Sequence, residues 1–115
     1  MGILIVEESI SLDGLRKIAA NQFGDFVKFV VDIDKEIMAV GADLHADEEA
    51  VLLEKGSDQQ DLWGINYYSD RPVDDRIEFH SMINLRPSQG NRSRGIDDPA
   101  IRERVALVVN KLVLG

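Results

Sequence analysis

The chain has 115 residues, 44% hydrophobic and 30% charged, which is the make-up of a single globular domain spanning residues 1–115 with one core. A formal net charge of −8 disfavours general nucleic-acid or anionic-membrane binding. The lack of cysteine excludes disulfides, thiolate metal sites and a Cys nucleophile, and no apolar run is long enough to span a bilayer.

The opening MGILIVEES is apolar but has no basic flank or cleavage-like site, so it reads as a strand of a cytoplasmic protein and not as a signal peptide. Ser11 is placed to cap a helix running to about Phe23, with Leu12, Leu15, Ile18, Ala19 and Phe23 on one face and Gly24 as its stop. Residues 25–40 are rich in β-branched and aromatic side chains and predict a hairpin, turning at Asp34 and Lys35 without an Asn-Gly or Asp-Gly signal. Residues 44–56 fit two states. Asp47, Glu48 and Glu49 suit a helix start and Gly56 its end, while the run Ala50-Val51-Leu52-Leu53 also suits a strand; the helix is preferred.

Residues 62–68 predict a strand in which Trp63, Ile65 and Tyr67 share one face and Tyr68, Asn66 and Gly64 the other, with Gly64 marking a bulge or close backbone approach. Residues 77–85 alternate and predict a further strand ended by Pro87. The clearest element is the last helix, opened by Asp98 and Pro99 and striped by Ile101, Val105, Val108, Val109, Leu112 and Val113. The order β-α-β-β-α-β-β-α predicts an α+β fold, a mainly antiparallel sheet with helices packed on one face.

Chemistry concentrates in the 86–94 loop. Arg86, Asn91, Arg92, Ser93 and Arg94 stand between a strand end and a helix start, where arginine forks and free N–H groups could hold a phosphate or carboxylate. The loop has no nucleotide-binding spacing. The competing reading is structural, with these arginines pairing the chain's own acids. Residues 43–61 hold seven acids against one base, and residues 86–104 five arginines against three acids. His45 and Glu49, at i, i+4 of the preferred helix, form a weak metal candidate that would need further ligands such as His80 or Asp43. Ser81 and Ser93 lack a nucleophile motif, and His80 and Ser81, adjacent on an expected strand, should face opposite ways, so no catalytic residue is assigned.

Several words recur in order: Val31-Asp32-Ile33, Leu44-His45-Ala46-Asp47-Glu48, Gly56-Ser57, Asp61-Leu62-Trp63-Gly64, Ser81-Met82-Ile83-Asn84, Arg86-Pro87, Asn91-Arg92-Ser93 and Asp98. Together the chain resembles a small, uncharacterised prokaryotic family catalogued as a domain of unknown function. The resemblance spans nearly the whole sequence and implies no activity, cofactor or site residue. The expectation is a non-catalytic binding or interaction module, homo-oligomeric as small domains commonly are, without cofactor. The alternative is an enzyme or sensor for a small anionic ligand held by the 86–94 loop.

Overall fold

The computed structural model describes residues 2–115. In chain order its elements are Leu4–Val6 (β1), Ile10–Ser11 (β2), Leu12–Asn21 (α1), Val27–Asp32 (β3), Ile37–Val40 (β4), His45–Glu54 (α2), Leu62–Tyr67 (β5), Ile77–Glu78 (β6), Pro99–Leu112 (α3) and Val113–Leu114 (β7). Short 3₁₀ turns lie between them. Five strands form one antiparallel sheet in the order β1-β4-β3-β5-β6, while β2 and β7 make a separate parallel pair.

The α+β class and the antiparallel sheet are those the sequence predicts, and residues 44–56 contain the preferred helix. The placement of the helices differs in one respect. Val27, Phe29 and Val31 of β3, with Trp63, Ile65 and Tyr67 of β5, face α1 and α3, meeting Leu15, Ile18, Val105, Val109 and Leu112. On the other face Val30, Ala39 and Leu62 pack against Leu52 of α2. So α1 and α3 share one face and α2 covers the other. The reason is in the strands: Phe29, Val30 and Val31 are all fully buried, so both faces of β3 are apolar and both need cover. Burying one such side chain stabilises by about 1.5–3 kcal/mol before entropy is counted.

Local chemistry sets the element ends. The Ser11 hydroxyl accepts from the Gly14 N–H at 3.0 Å, capping α1. That helix ends at Asn21, short of Phe23, whose ring stacks on Phe26 at 4.6 Å and is 39% exposed. The β3–β4 turn is made by Asp32. Its carboxylate accepts from the Asp34 and Lys35 N–H groups, both at 2.9 Å, and from the Ser57 hydroxyl at 2.6 Å, while Glu36 takes a left-handed φ of 57°. In α3, Asp98 accepts from the Ala100 N–H at 2.9 Å with Pro99 in the first turn. The chain leaves that helix at Val113, which pairs with Ile10.

The strand expected over residues 77–85 is the main correction. Only Ile77 and Glu78 pair with β5, after which the chain turns through a 3₁₀ segment, Met82–Asn84. Alternation was present, but Ser81 and Asn84 offer the backbone local partners that compete with a ladder. The Ser81 hydroxyl accepts from the Ile83 N–H at 3.3 Å, and the Ser81 N–H donates to the Arg94 carbonyl at 2.9 Å. Among the described residues no helix is long and apolar enough to cross a membrane.

Candidate functional site

Because β6 pairs only with Asn66 and Tyr67, the rest of the β5 edge is left for side chains to satisfy. Asn84 does what a paired strand residue would do. Its Oδ1 accepts from the Gly64 N–H at 2.8 Å, and its Nδ2 donates to the Gly64 carbonyl at 2.9 Å and to the Arg94 carbonyl at 3.0 Å. Gly64 is the close approach expected from sequence: a Cβ there would lie 2.6 Å from the Ser81 Cβ. Gly64→Ala should therefore destabilise by about 1–3 kcal/mol through overpacking, read as a lowered urea midpoint with unchanged slope.

The predicted ligand loop is drawn into this edge. Arg86 is buried, with its Nε donating to the Ile83 carbonyl at 2.9 Å, Nη1 to the Gln59 carbonyl at 2.8 Å and Nη2 to the Leu62 carbonyl. Its Nη2 also stands 3.6 Å from Glu49 Oε2, a buried ion pair without a hydrogen bond, and its Cζ is 4.7 Å from the Trp63 ring centroid. Burial pulls the Arg86 guanidinium below the usual arginine range, and Glu49 opposes that. Asn91 is also buried. Its Nδ2 donates to the carbonyls of Asn84, Ser93 and Gly95 at 2.7, 3.1 and 2.9 Å, and its Oδ1 accepts from the Asp97 N–H at 2.8 Å.

The other three members behave differently. Asp97 accepts from the Arg92 N–H at 2.8 Å and from the Ser93 hydroxyl at 2.6 Å, which together hold its carboxyl below the ordinary range. The Arg92 and Arg94 guanidinium groups are exposed and, among the described residues, make no ion pair. The five predicted residues are thus adjacent, but their donors do not converge. Two face inward and two outward, and Ser93 is held by Asp97.

On the α2 face a cleft of about 270 Å³ opens between the start of α2 and residues 80–83. Lys28, Leu44, His45, Ala46, His80, Ser81, Met82 and Ile83 line it. His80 and Ser81, expected to point apart, thus share one cavity because the strand that would have separated them has already ended. His45 opens α2, and its Nε2 lies 2.7 Å from the Ile65 carbonyl. A carbonyl only accepts, so the proton sits on Nε2 and the Nδ1 lone pair is left free. Burial drives the His45 pKa down to about 4, with the Ile65 hydrogen bond opposing and the charges of Lys28 and His80 adding to it.

One turn on, Glu48 is fully buried, its Oε2 accepting from the Ala42 N–H at 3.0 Å and its Oε1 without a partner. Burial raises its pKa to about 9, so it is a neutral acid at physiological pH, tying the exit of β4 to α2. The metal candidate pair is separated. His45 turns to the Ile65 carbonyl and Glu49 to Arg86, while Asp43 is exposed away from both, within 3.4 Å of Gln22 Nε2. Among the described residues no three His, Asp or Glu side chains gather as a metal-binding group. The cleft has one signal in the sequence, a helix start at Leu44 and His45 with no Ser, Thr, Asp or Asn at the capping position. The meeting of His45 and His80 has none.

Residues 4–112 match the model of a family described as protein of unknown function, DUF5674. No curated protein and no solved structure matches the chain.

Proposed function

The chain belongs to the DUF5674 family, and on that premise we propose that it is a non-catalytic binding module that works as a homodimer through β1. The observation that carries this reading is the state of the β1 edge. β1 is an outer strand of the sheet, and residues 2–6, Gly-Ile-Leu-Ile-Val, include no charge and no proline. Its register with β4 runs without a bulge, and Leu4 is 49% exposed. The strand is short, but it has no charge, proline or bulge to keep its edge from pairing. A second copy fits it. Antiparallel pairing of β1 with itself, centred on Leu4, sets Ile3 against Ile5 and keeps Glu7 and Glu8 of the two copies at opposite ends. Such a contact is self-complementary and closes at two copies.

Analytical ultracentrifugation tests this. A dimer at micromolar concentration is expected for the natural chain, and a monomer with unchanged circular dichroism for Leu4→Lys, since the new charge would stand in the contact. A natural chain that sediments as a monomer throughout would sink the reading.

The alternative, a sensor or enzyme for a small anion clamped by the 86–94 loop, is placed second. Arg86 and Asn91 already hold backbone groups, which leaves Arg92 and Arg94 as its available donors. On our reading Arg92→Ala leaves the response of the melting temperature to inorganic phosphate unchanged; loss of a phosphate response would reverse the order.

A further inference from the structure

The cleft on the α2 face is lined by one lysine, Lys28, and by two histidines, His45 and His80. Lys28 is half-buried and makes no ion pair among the described residues; its Nζ lies alongside the stacked Phe23 and Phe26 rings, 5.4 and 5.7 Å from their centroids. The buried acid of the neighbouring helix, Glu48, turns its Oε2 to the Ala42 N–H and makes no ion pair with this ammonium. His80 stands exposed at the rim. Leu44 at the start of α2 provides no side-chain acceptor, so the first N–H groups of that ten-residue helix have no capping side chain, although Asp47 stands in the same turn.

A second observation is independent of the charge. His45 lines the cleft and is 7% exposed. The Ile65 carbonyl fixes the proton on Nε2, and among the described residues nothing donates to Nδ1. The Nδ1 lone pair is therefore an acceptor left for a ligand in the cleft that His45 lines. Of the remaining walls, Ser81 is polar and Leu44, Ala46, Met82 and Ile83 are apolar, with Leu44 and Met82 59% and 61% exposed.

We propose that this cleft binds a small carboxylate that carries a hydroxyl or N–H beside the carboxyl group and a short apolar body. The carboxylate takes Lys28, His80 and the α2 amino-terminus; the hydroxyl or N–H donates to His45 Nδ1; the apolar body lies on Met82 and Ile83. The volume of about 270 Å³ suits a molecule of a few carbons and not a nucleotide. This site lies away from β1 and stands whether or not the chain dimerises.

Isothermal titration of the full chain with α-hydroxyisovalerate, isovalerate and inorganic phosphate tests it. The hydroxy acid should bind about tenfold tighter than isovalerate, which has no donor for His45, and than phosphate, which has no apolar body for Met82 and Ile83. Lys28→Met, which keeps the aliphatic stem against the phenylalanines, should weaken it by about tenfold or more. His80→Ala, on an exposed position, should weaken it with the melting temperature of the free protein unchanged. No binding of either carboxylate at millimolar concentration would overturn the proposal. So would phosphate binding as tightly as the hydroxy acid, or equal affinity in Lys28→Met. Sedimentation of the same samples keeps this result separate from the dimer reading.

Discussion

Arg86→Ala should cost about 3–5 kcal/mol of stability, the range for removing one partner of a buried ion pair. In a domain of this size that is a fall of roughly 10–20 °C in melting temperature. The cost has three sources. The carbonyls of Gln59, Leu62 and Ile83 lose charge-assisted donors. Glu49, whose Oε2 is buried, is left as an uncompensated carboxylate. Trp63 loses the guanidinium packed on its ring. Arg86→Lys should recover only part of the loss, since an ammonium cannot reproduce a planar fork aimed at three carbonyls. Glu49→Gln added to Arg86→Ala should recover a different part, by removing the stranded charge. Were Arg86 a ligand clamp without a structural role, Arg86→Ala would leave the melting temperature of the free protein unchanged, and calorimetry decides between the two.

What made Arg86 misleading in the sequence is that its partners are backbone carbonyls distant along the chain. A residue type announces what it can donate, and Arg86 announces a fork; it cannot announce that Gln59 and Leu62 lie within reach. Asn84 and Asn91 share this property, one standing in for a strand residue and the other knotting four backbone groups of the loop together. By contrast α1, α3 and the β3–β4 hairpin were legible, because caps, apolar periodicity and β-branched runs act within a few residues. Even so, the hairpin turn has no Asn-Gly, and its working signal is Asp32 at the turn entry. The residue 77–85 strand failed for the same local reason, since alternation cannot show that Ser81 and Asn84 will bond the backbone instead. The β2–β7 pair, two residues in each strand, is below what any periodicity can register. For the site, the acidic helix start was visible. That Glu48 points inward while Asp47 points out follows only once α2 is laid on the sheet.

Glu48 and His45, adjacent on α2, should give the protein an unusual pH profile of stability. Glu48 has its pKa raised from 4.5 to about 9, so between those values the folded state holds a proton that the unfolded chain has lost. Its contribution is fully present below pH 4.5 and declines as pH rises toward 9, by about 1.4 kcal/mol per unit. His45 runs the other way. With its pKa lowered from 6.5 to about 4, the unfolded chain binds the extra proton, and stability falls as pH drops through that window. From pH 4.5 to 6.5 the two slopes oppose and nearly cancel; from 6.5 to 9 only Glu48 acts, for a loss of about 3 kcal/mol. Glu48→Gln keeps the acceptor for the Ala42 N–H and removes the titration. Urea unfolding at a series of pH values should show the alkaline decline of the natural chain replaced by a plateau above pH 6.5, with the variant the more stable protein at pH 9. Other groups titrate alike in both chains, so their difference isolates this carboxyl. Parallel profiles for the two would mean that Glu48 is charged in the folded state, and that the link between β4 and α2 is an ionic hydrogen bond to the Ala42 N–H instead of a neutral one.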